Sequence, residues 1–115
     1  MQLDIIETGD RLTRLALCGR LDTESVNQIE ARFTALTVSG QKHAVVDVSD
    51  VPYLASMGIR MLVAVAKAMR RHNYKLVLLA PQPLVLDVLR MAGMDTIVDV
   101  AQDDSQVQRL LAGAA

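Results

Sequence analysis

Residues 43–80, HAVVDVSDVPYLASMGIRMLVAVAKAMRRHNYKLVLLA, contain the pattern that decides the fold. The stretch begins with a short β-branched run at residues 43–48 and ends with a second apolar run at residues 74–80. Between these runs, from about Met57 to His72, apolar residues recur at helical spacing. Two strands joined by a helix pair in parallel through a right-handed crossover. The stretch therefore predicts an α/β fold.

The residues before this stretch predict a hairpin and a first helix. Residues 3–8 and 12–18 are short apolar runs joined by a Gly-Asp dipeptide, which is typical of a tight turn between antiparallel strands. A helix is predicted from about Glu24 to Thr37, because its apolar residues recur three and four positions apart. Asp22 or Thr23 is the predicted N-cap of this helix.

The residues after it predict two more helices and one more strand. A helix begins at Pro83, carries the apolar residues Leu84, Val88 and Met91, and ends at Gly93. The remaining elements are a strand at residues 96–100 and a final helix capped by Asp103 or Asp104. The complete order predicts a small mixed, mostly parallel sheet, with an N-terminal antiparallel hairpin strand at its edge and about four helices mainly on one face.

Length and composition agree with one domain spanning residues 1–115. Apolar residues make up 51% of the chain but aromatic residues only 3%, so the core is expected to be aliphatic. A formal net charge of -1 does not favour nucleic-acid binding. The acidic N-terminus excludes a signal peptide, and no apolar run approaches the ~20 residues of a membrane span. These features predict a cytoplasmic protein without membrane insertion.

Cys18, the single cysteine, lies in an apolar run and is expected to be a buried, inert thiol.

Catalytic patterns are scarce. His43 and His72 have no second ligand at metal spacing, and the sequence contains no phosphate-binding loop, nucleophile elbow or Cys-His pair. The sequence therefore predicts a protein that is not an enzyme and needs no cofactor or metal. A response-regulator receiver domain has a similar element order, but its acidic pair and late lysine have no counterpart here. Asp47 and Asp50 are instead expected to be turn carboxylates.

Ser56 stands where the central helix is expected to begin. One interpretation is structural, because serine is a preferred N-cap whose oxygen accepts a hydrogen bond from a free N–H group of the first turn. A second interpretation is functional, because a phosphate at this position would lie beside the positive end of the helix dipole. The same charge would disrupt contact with an apolar or acidic partner. One serine can fill both roles.

Residues 47–62, DVSDVPYLASMGIRML, resemble the signature stretch of STAS domains in anti-sigma factor antagonists. In that family a strand and a loop lead into Asp-Ser-Ser/Thr-Gly-Leu at the start of a helix. Ser56 matches the serine that is phosphorylated in the family, Gly58 matches the glycine and Ile59 matches the following aliphatic residue.

Two further segments carry the resemblance over essentially the whole chain. Residues 19–22, Gly-Arg-Leu-Asp, are similar to the family's Gly-x-Leu-Asp turn, and residues 90–94 resemble the end of its third helix. The chain departs from the family pattern at Ala55, where an acidic residue is usual, and at Met57, where serine or threonine is usual. These departures predict slower phosphorylation, an adapted kinase or no phosphorylation.

The resemblance implies partners and site residues. In such proteins the unphosphorylated antagonist binds an anti-sigma factor that is also a serine kinase of the histidine-kinase-like ATPase type, which frees the sigma factor. The kinase then phosphorylates the antagonist, which dissociates, and a metal-dependent serine phosphatase restores it. By resemblance, Ser56 is the phosphate acceptor, and the partner-binding residues are Asp22, Ala55, Met57, Gly58 and Met61.

The central helix has two apolar sides. One consists of Ile59, Leu62, Val63, Ala66 and Met69, and the other of Met57, Met61, Ala64, Val65 and Ala68. One side suffices to pack on a sheet, so the second is either an exposed patch for a partner or is buried by neighbouring helices.

Other interaction roles remain open on the sequence alone. The chain could be a STAS subunit of an ABC-type lipid transporter that binds its ATPase without a phosphate cycle, a possibility that Ala55 and Met57 favour. A scaffold subunit in a larger sensor assembly is a further alternative, and a homodimer is possible in each case.

Overall fold

The computed structural model describes residues 1–113 of the chain. The five strands are β1 (Gln2–Thr8), β2 (Leu12–Cys18), β3 (His43–Asp50), β4 (Leu76–Leu79) and β5 (Asp99–Ala101). The four α-helices are α1 (Thr23–Thr37), α2 (Ser56–Arg71), α3 (Pro83–Met91) and α4 (Asp104–Ala112). A short 3-10 turn, Met94–Thr96, lies between α3 and β5.

The strands form one sheet in the order β1-β2-β3-β4-β5. Strand β1 is an edge strand that pairs antiparallel with β2, and all the other neighbours are parallel. Sequential strands are therefore spatial neighbours, and each parallel pair is joined by one helix. The predicted mixed sheet with an antiparallel N-terminal edge strand is confirmed.

Helices cover the two faces of the sheet unequally. The larger core packs α1, α2 and α3 on one face, and Phe33, Leu62 and Leu89 from these helices are at most 2% exposed. On the opposite face Val107 of α4 packs against Val45 and neighbouring residues of the central strands. Successive residues of a strand point to opposite faces, so each central strand contributes to both cores. The expectation of helices mainly on one face is thus confirmed, with α4 on the other.

The last strand is shorter and later than predicted. It covers Asp99–Ala101 instead of residues 96–100, because Met94–Thr96 forms the 3-10 turn before it. Gly93 has φ 71°, a left-handed conformation that glycine adopts without strain and that ends α3. Met94 follows it into the core and is 0% exposed, which anchors the turn before the strand begins.

Helix α3 buries only part of its apolar surface. Val85 and Leu89 are buried, whereas Leu84 and Met91 are 73% and 87% exposed. The helix carries two neighbouring apolar stripes, and helical spacing alone does not say which of them meets the sheet. Of the three apolar residues named from the sequence, Val88 packs against the core, whereas Leu84 and Met91 lie outside it.

The expectation for Cys18 is also wrong, because this free thiol is exposed. In β2 the side chains of Thr13, Leu15 and Leu17 point into the larger core. Cys18 comes directly after Leu17, so it points to the opposite face of the sheet, at the end of its strand. There α4 covers the central strands and leaves Cys18 accessible.

Within residues 1–113, no helix combines the length and the apolar character that crossing a membrane requires.

Candidate functional site

Two loops meet where the parallel strands β2 and β3 end. The N–H of Gly19 donates to the carbonyl of Asp50 at 3.0 Å, and the N–H of Leu21 donates to the carbonyl of Tyr53 at 2.9 Å. The carbonyl of Leu21 in turn accepts from the N–H of Ala55 at 3.0 Å. These bonds extend the parallel pairing beyond the regular strands. We call residues 19–22 and 50–55 the paired loops.

Ser56 follows the second of these loops and is the first residue of α2. The chain stays extended through Ala55 (φ −96°, ψ 173°), which is the N-cap, and its carbonyl accepts the first helical bond from Ile59 at 3.0 Å. The predicted N-cap role of Ser56 is therefore wrong by one residue, and α2 has no side-chain cap. Ser56 is exposed at the N-terminal end of α2.

Gly58 lies in the first turn of α2, directly against the paired loops. A Cβ atom at this position would lie 2.8 Å from both the Cγ atom and the carbonyl oxygen of Leu21, and 2.9 Å from Cδ1 of Leu54. Only glycine lets the helix approach so closely. Gly58 is buried, so its side of α2 packs against the rest of the fold. This packing fixes where α2 begins and thereby the position of Ser56.

The second apolar side of α2 is mostly covered. Met61 is 2% exposed and Val65 is 3% exposed, because both pack into the larger core. The predicted contact surface is therefore wrong at Met61, whose side chain is not available to a partner. Met57 is partly buried and Ala64 is exposed, so only a narrow apolar strip remains beside Ser56.

Asp22 caps α1 on the other paired loop. Its Oδ1 accepts from the N–H of Ser25 at 3.0 Å, while the Ser25 hydroxyl accepts from the N–H of Asp22 at 2.9 Å, which completes a capping box. The Ser25 backbone bond holds the pKa of Asp22 below its ordinary value, and the nearby Arg20 guanidinium acts in the same direction. The predicted N-cap role of Asp22 is confirmed, and its carboxylate is charged at neutral pH.

Arg20 and Tyr53 form a contact that no local sequence pattern predicts. The guanidinium Cζ of Arg20 lies 4.3 Å from the centre of the Tyr53 ring, and its Nε lies 3.8 Å from Oδ2 of Asp22. Arg20 is the variable residue of the Gly-Arg-Leu-Asp turn, and nothing in its sequence neighbourhood points to a tyrosine 33 positions later. The contact exists because the paired loops run side by side.

In the part of the chain that the structure describes, neither a group of metal ligands nor either of the two larger cavities lies at Ser56. Residues 1–113 hold no group of three or more His, Cys, Asp or Glu side chains placed to bind a metal ion. Two larger cavities, of about 580 and 650 Å³, lie elsewhere. The first is lined by residues of α2 and β4, including Arg70 and Leu76, and by Lys75 just before β4. The second lies beside α4 and includes His43. None of the residues 19–22 and 50–56 lines either of these two cavities.

Comparison with known proteins places this geometry in a family. The model of the STAS domain matches residues 5–107. A Bordetella bronchiseptica protein, BtrV, named as a candidate anti-sigma factor antagonist, is 30% identical over 92 residues, which cover 80% of this chain and 79% of BtrV.

Solved structures show the same fold. The Thermotoga maritima protein TM1081, titled a candidate anti-sigma factor antagonist, is 18% identical and has a TM-score of 0.82, with 96% of this chain and 93% of that chain covered. Bacillus SpoIIAA in its phosphorylated form is 17% identical and has a TM-score of 0.70, with coverages of 95% and 99%. The matched span and these likenesses agree with the mixed five-stranded sheet, and the chain belongs to the STAS domain family, among relatives named as anti-sigma factor antagonists.

Proposed function

We propose that this chain is an anti-sigma factor antagonist whose binding to an anti-sigma factor serine kinase is switched off by phosphorylation of Ser56. The observation that carries the proposal is the exposure of Ser56 at the first position of a 16-residue helix that has no side-chain cap. A kinase can reach this hydroxyl without unfolding the chain. The kinase is of the histidine-kinase-like ATPase type, and a serine phosphatase reverses the modification.

The electrostatic setting supports a phosphate at Ser56. The first turn of α2 contains no acidic residue, so the free N–H groups and the positive end of the helix dipole are not already neutralised there. Ala55 contributes the extended N-cap conformation and no charge. An anion added at Ser56 is tolerated by the fold and acts on the partner by changing the charge of the contact surface.

The partner surface consists of the paired loops and the exposed start of α2. Ala55 and Met57 adjoin Ser56 in the chain, and Asp22 lies level with Ala55 on the first paired loop. Gly58 is buried against Leu21 and Leu54. Tyr53, which is 43% exposed, adds an aromatic side chain of the kind enriched in protein interfaces. The chain acts as one cytoplasmic domain over residues 1–115 and binds its partner without catalysing a reaction.

Mass spectrometry of the protein from its native cells tests the modification. We expect one phosphate, mapped to Ser56 and absent from the Ser56→Ala variant. Ser105 is the matched control, since it is also an exposed serine in the first turn of a helix, and Ser105→Ala should leave the phosphate in place. A chain that carries no phosphate under any growth condition, or carries it at Ser105, would refute the switch.

Affinity capture tests the partner. Ser56→Ala should retain a protein with a histidine-kinase-like ATPase domain, whereas Ser56→Glu should lose it and Ser105→Glu should keep it. Equal capture by Ser56→Ala and Ser56→Glu would leave Ser56 without a switching role. Recovery of a transport ATPase instead would replace this proposal by the transporter-subunit alternative.

A further inference from the structure

We propose that phosphate on Ser56 is bound within the chain itself by Arg20 from the first paired loop and Arg60 from α2, and that Arg20 leaves the Tyr53 ring to do so. The inference deepens the proposed function, because it states how the modified serine is held. It assigns a phosphate-binding role to one arginine from the first paired loop and one from α2.

Arg60 is placed by helix geometry. It follows Ser56 by four residues in α2, and side chains at this spacing lie one above the other on the same face, about 5–6 Å apart at Cβ. Both residues are exposed. An anion followed four residues later by a cation is the favourable order along a helix, so a phosphate at Ser56 has one cation within reach.

Arg20 is placed by the paired loops. Leu21 pairs in parallel with Leu54, so Arg20 lies beside Tyr53, and Asp22 lies level with Ala55, the residue before Ser56. The guanidinium of Arg20 already extends toward Asp22, with Nε 3.8 Å from its Oδ2. Its side chain therefore reaches the level of Asp22, which lies beside the residue before Ser56.

The present contacts of Arg20 are weak enough to exchange. Its side chain is 64% exposed, and the contact with Asp22 is longer than a hydrogen bond. A cation–π contact at an exposed site is worth less than a bidentate bond between a guanidinium and a phosphate. A phosphate carries about two negative charges and three acceptor oxygens, so it competes successfully with the Tyr53 ring for the same guanidinium.

Acidic groups oppose the phosphate from both paired loops. Asp22 is charged at the start of α1, and Asp50 is exposed at the end of β3. With Ala55 in place of the acidic residue that the family usually has there, no carboxylate stands directly before Ser56. The two arginines offset the remaining repulsion, and once bound they are no longer free to contact an acidic partner.

The test uses full-length protein in which phosphoserine is inserted at position 56 during translation, so its result does not depend on whether a cell phosphorylates Ser56. Phosphorus NMR across pH 4–8 measures the second pKa of the phosphate, which is about 6 when unperturbed. We expect Arg20→Gln and Arg60→Gln each to raise this pKa by about half a unit, and the double variant to raise it further.

Arg71 supplies the matched control. It is an exposed arginine in the last turn of α2, more than ~20 Å along the helix from Ser56, so Arg71→Gln should leave the phosphate pKa unchanged. Arg20→Lys should raise the phosphate pKa less than Arg20→Gln does, because lysine keeps the charge but not the bidentate geometry. Circular dichroism confirms that each variant is folded.

Tyrosine signals provide a second, independent measurement. The chain contains two tyrosines, and Tyr74 packs edge-on against His43 at a ring-centre distance of 5.6 Å, which makes it an internal reference. Phosphorylation should shift the ring signals of Tyr53 and the side-chain signals of Arg20, with Tyr74 unaffected. The proposal is overturned if Arg20→Gln leaves the phosphate pKa unchanged, or if the Tyr53 and Arg20 signals do not respond to the phosphate.

Discussion

Replacing Gly58 by alanine tests whether the start of α2 is fixed by close packing on the paired loops. The new Cβ would lie 2.8 Å from the Leu21 carbonyl oxygen, a separation that real Cβ atoms essentially never show. That oxygen cannot move away freely, because it accepts the hydrogen bond from Ala55 at 3.0 Å. The Leu21 and Leu54 side chains, at 2.8 and 2.9 Å, leave no free direction either.

The expected magnitude is the difference between two opposing effects. Overpacking a closed site costs about 1–3 kcal/mol. At Gly58 the cost is expected to be about 3 kcal/mol, because one of the clashing atoms is a backbone oxygen. In the opposite direction, alanine stabilises a helix by at most about 1 kcal/mol relative to glycine. The net loss in the free energy of unfolding is therefore about 2 kcal/mol, which for a chain of this size lowers Tm by roughly 8 °C.

Urea and thermal unfolding followed by circular dichroism measure this loss. Gly113→Ala is the matched control, because no atom lies within 4 Å of a Cβ at that position, and its stability should change by less than about 0.5 kcal/mol. If Gly58→Ala is as stable as the parent protein or more stable, helix propensity outweighs the clash and the close approach of α2 to the paired loops is disproved.

Two further predictions concern the core and the cap of α1. Leu89→Ala should lower the free energy of unfolding by about 2–5 kcal/mol because Leu89 is 0% exposed. Leu84 is 73% exposed, so Leu84→Ala should change the free energy of unfolding by less than about 0.5 kcal/mol. Equal effects in urea unfolding would contradict the orientation of α3. Asp22→Asn should remove a pH-dependent part of the stability. The folded pKa of Asp22 is lowered from 3.8, so its carboxylate stabilises the fold above that pH and this contribution is lost as pH falls through the folded pKa. Urea titrations at a series of pH values should therefore show the parent protein losing stability relative to Asp22→Asn only below about pH 3.8, and a constant difference at all pH values would refute the lowered pKa of Asp22.

Much of the fold could be predicted because its signals are local. Apolar periodicity located the strands and helices to within a few residues, and their order required a parallel sheet with the hairpin at its edge. The N-cap at Asp22 was also predictable, since it depends on a side chain and a backbone N–H three residues apart. Ser56 was recognised from the residues around it, which place it at the start of a helix.

The details of the site depended on contacts between distant segments. The Arg20–Tyr53 contact arises from loops that the parallel pairing brings together, and no local pattern connects those two residues. Ser56 moved from N-cap to first helical residue because Ala55 is held extended by its bond to Leu21.

The sequence by itself determined the elements, their order and which residues share a face, because these follow from spacing along the chain. Only the tertiary structure decided which face of each element is covered: Leu89 instead of Leu84 in α3, Met61 buried in α2, and Cys18 left accessible in β2. The physical reason is that burial depends on what the rest of the chain places above a surface, which periodicity does not encode.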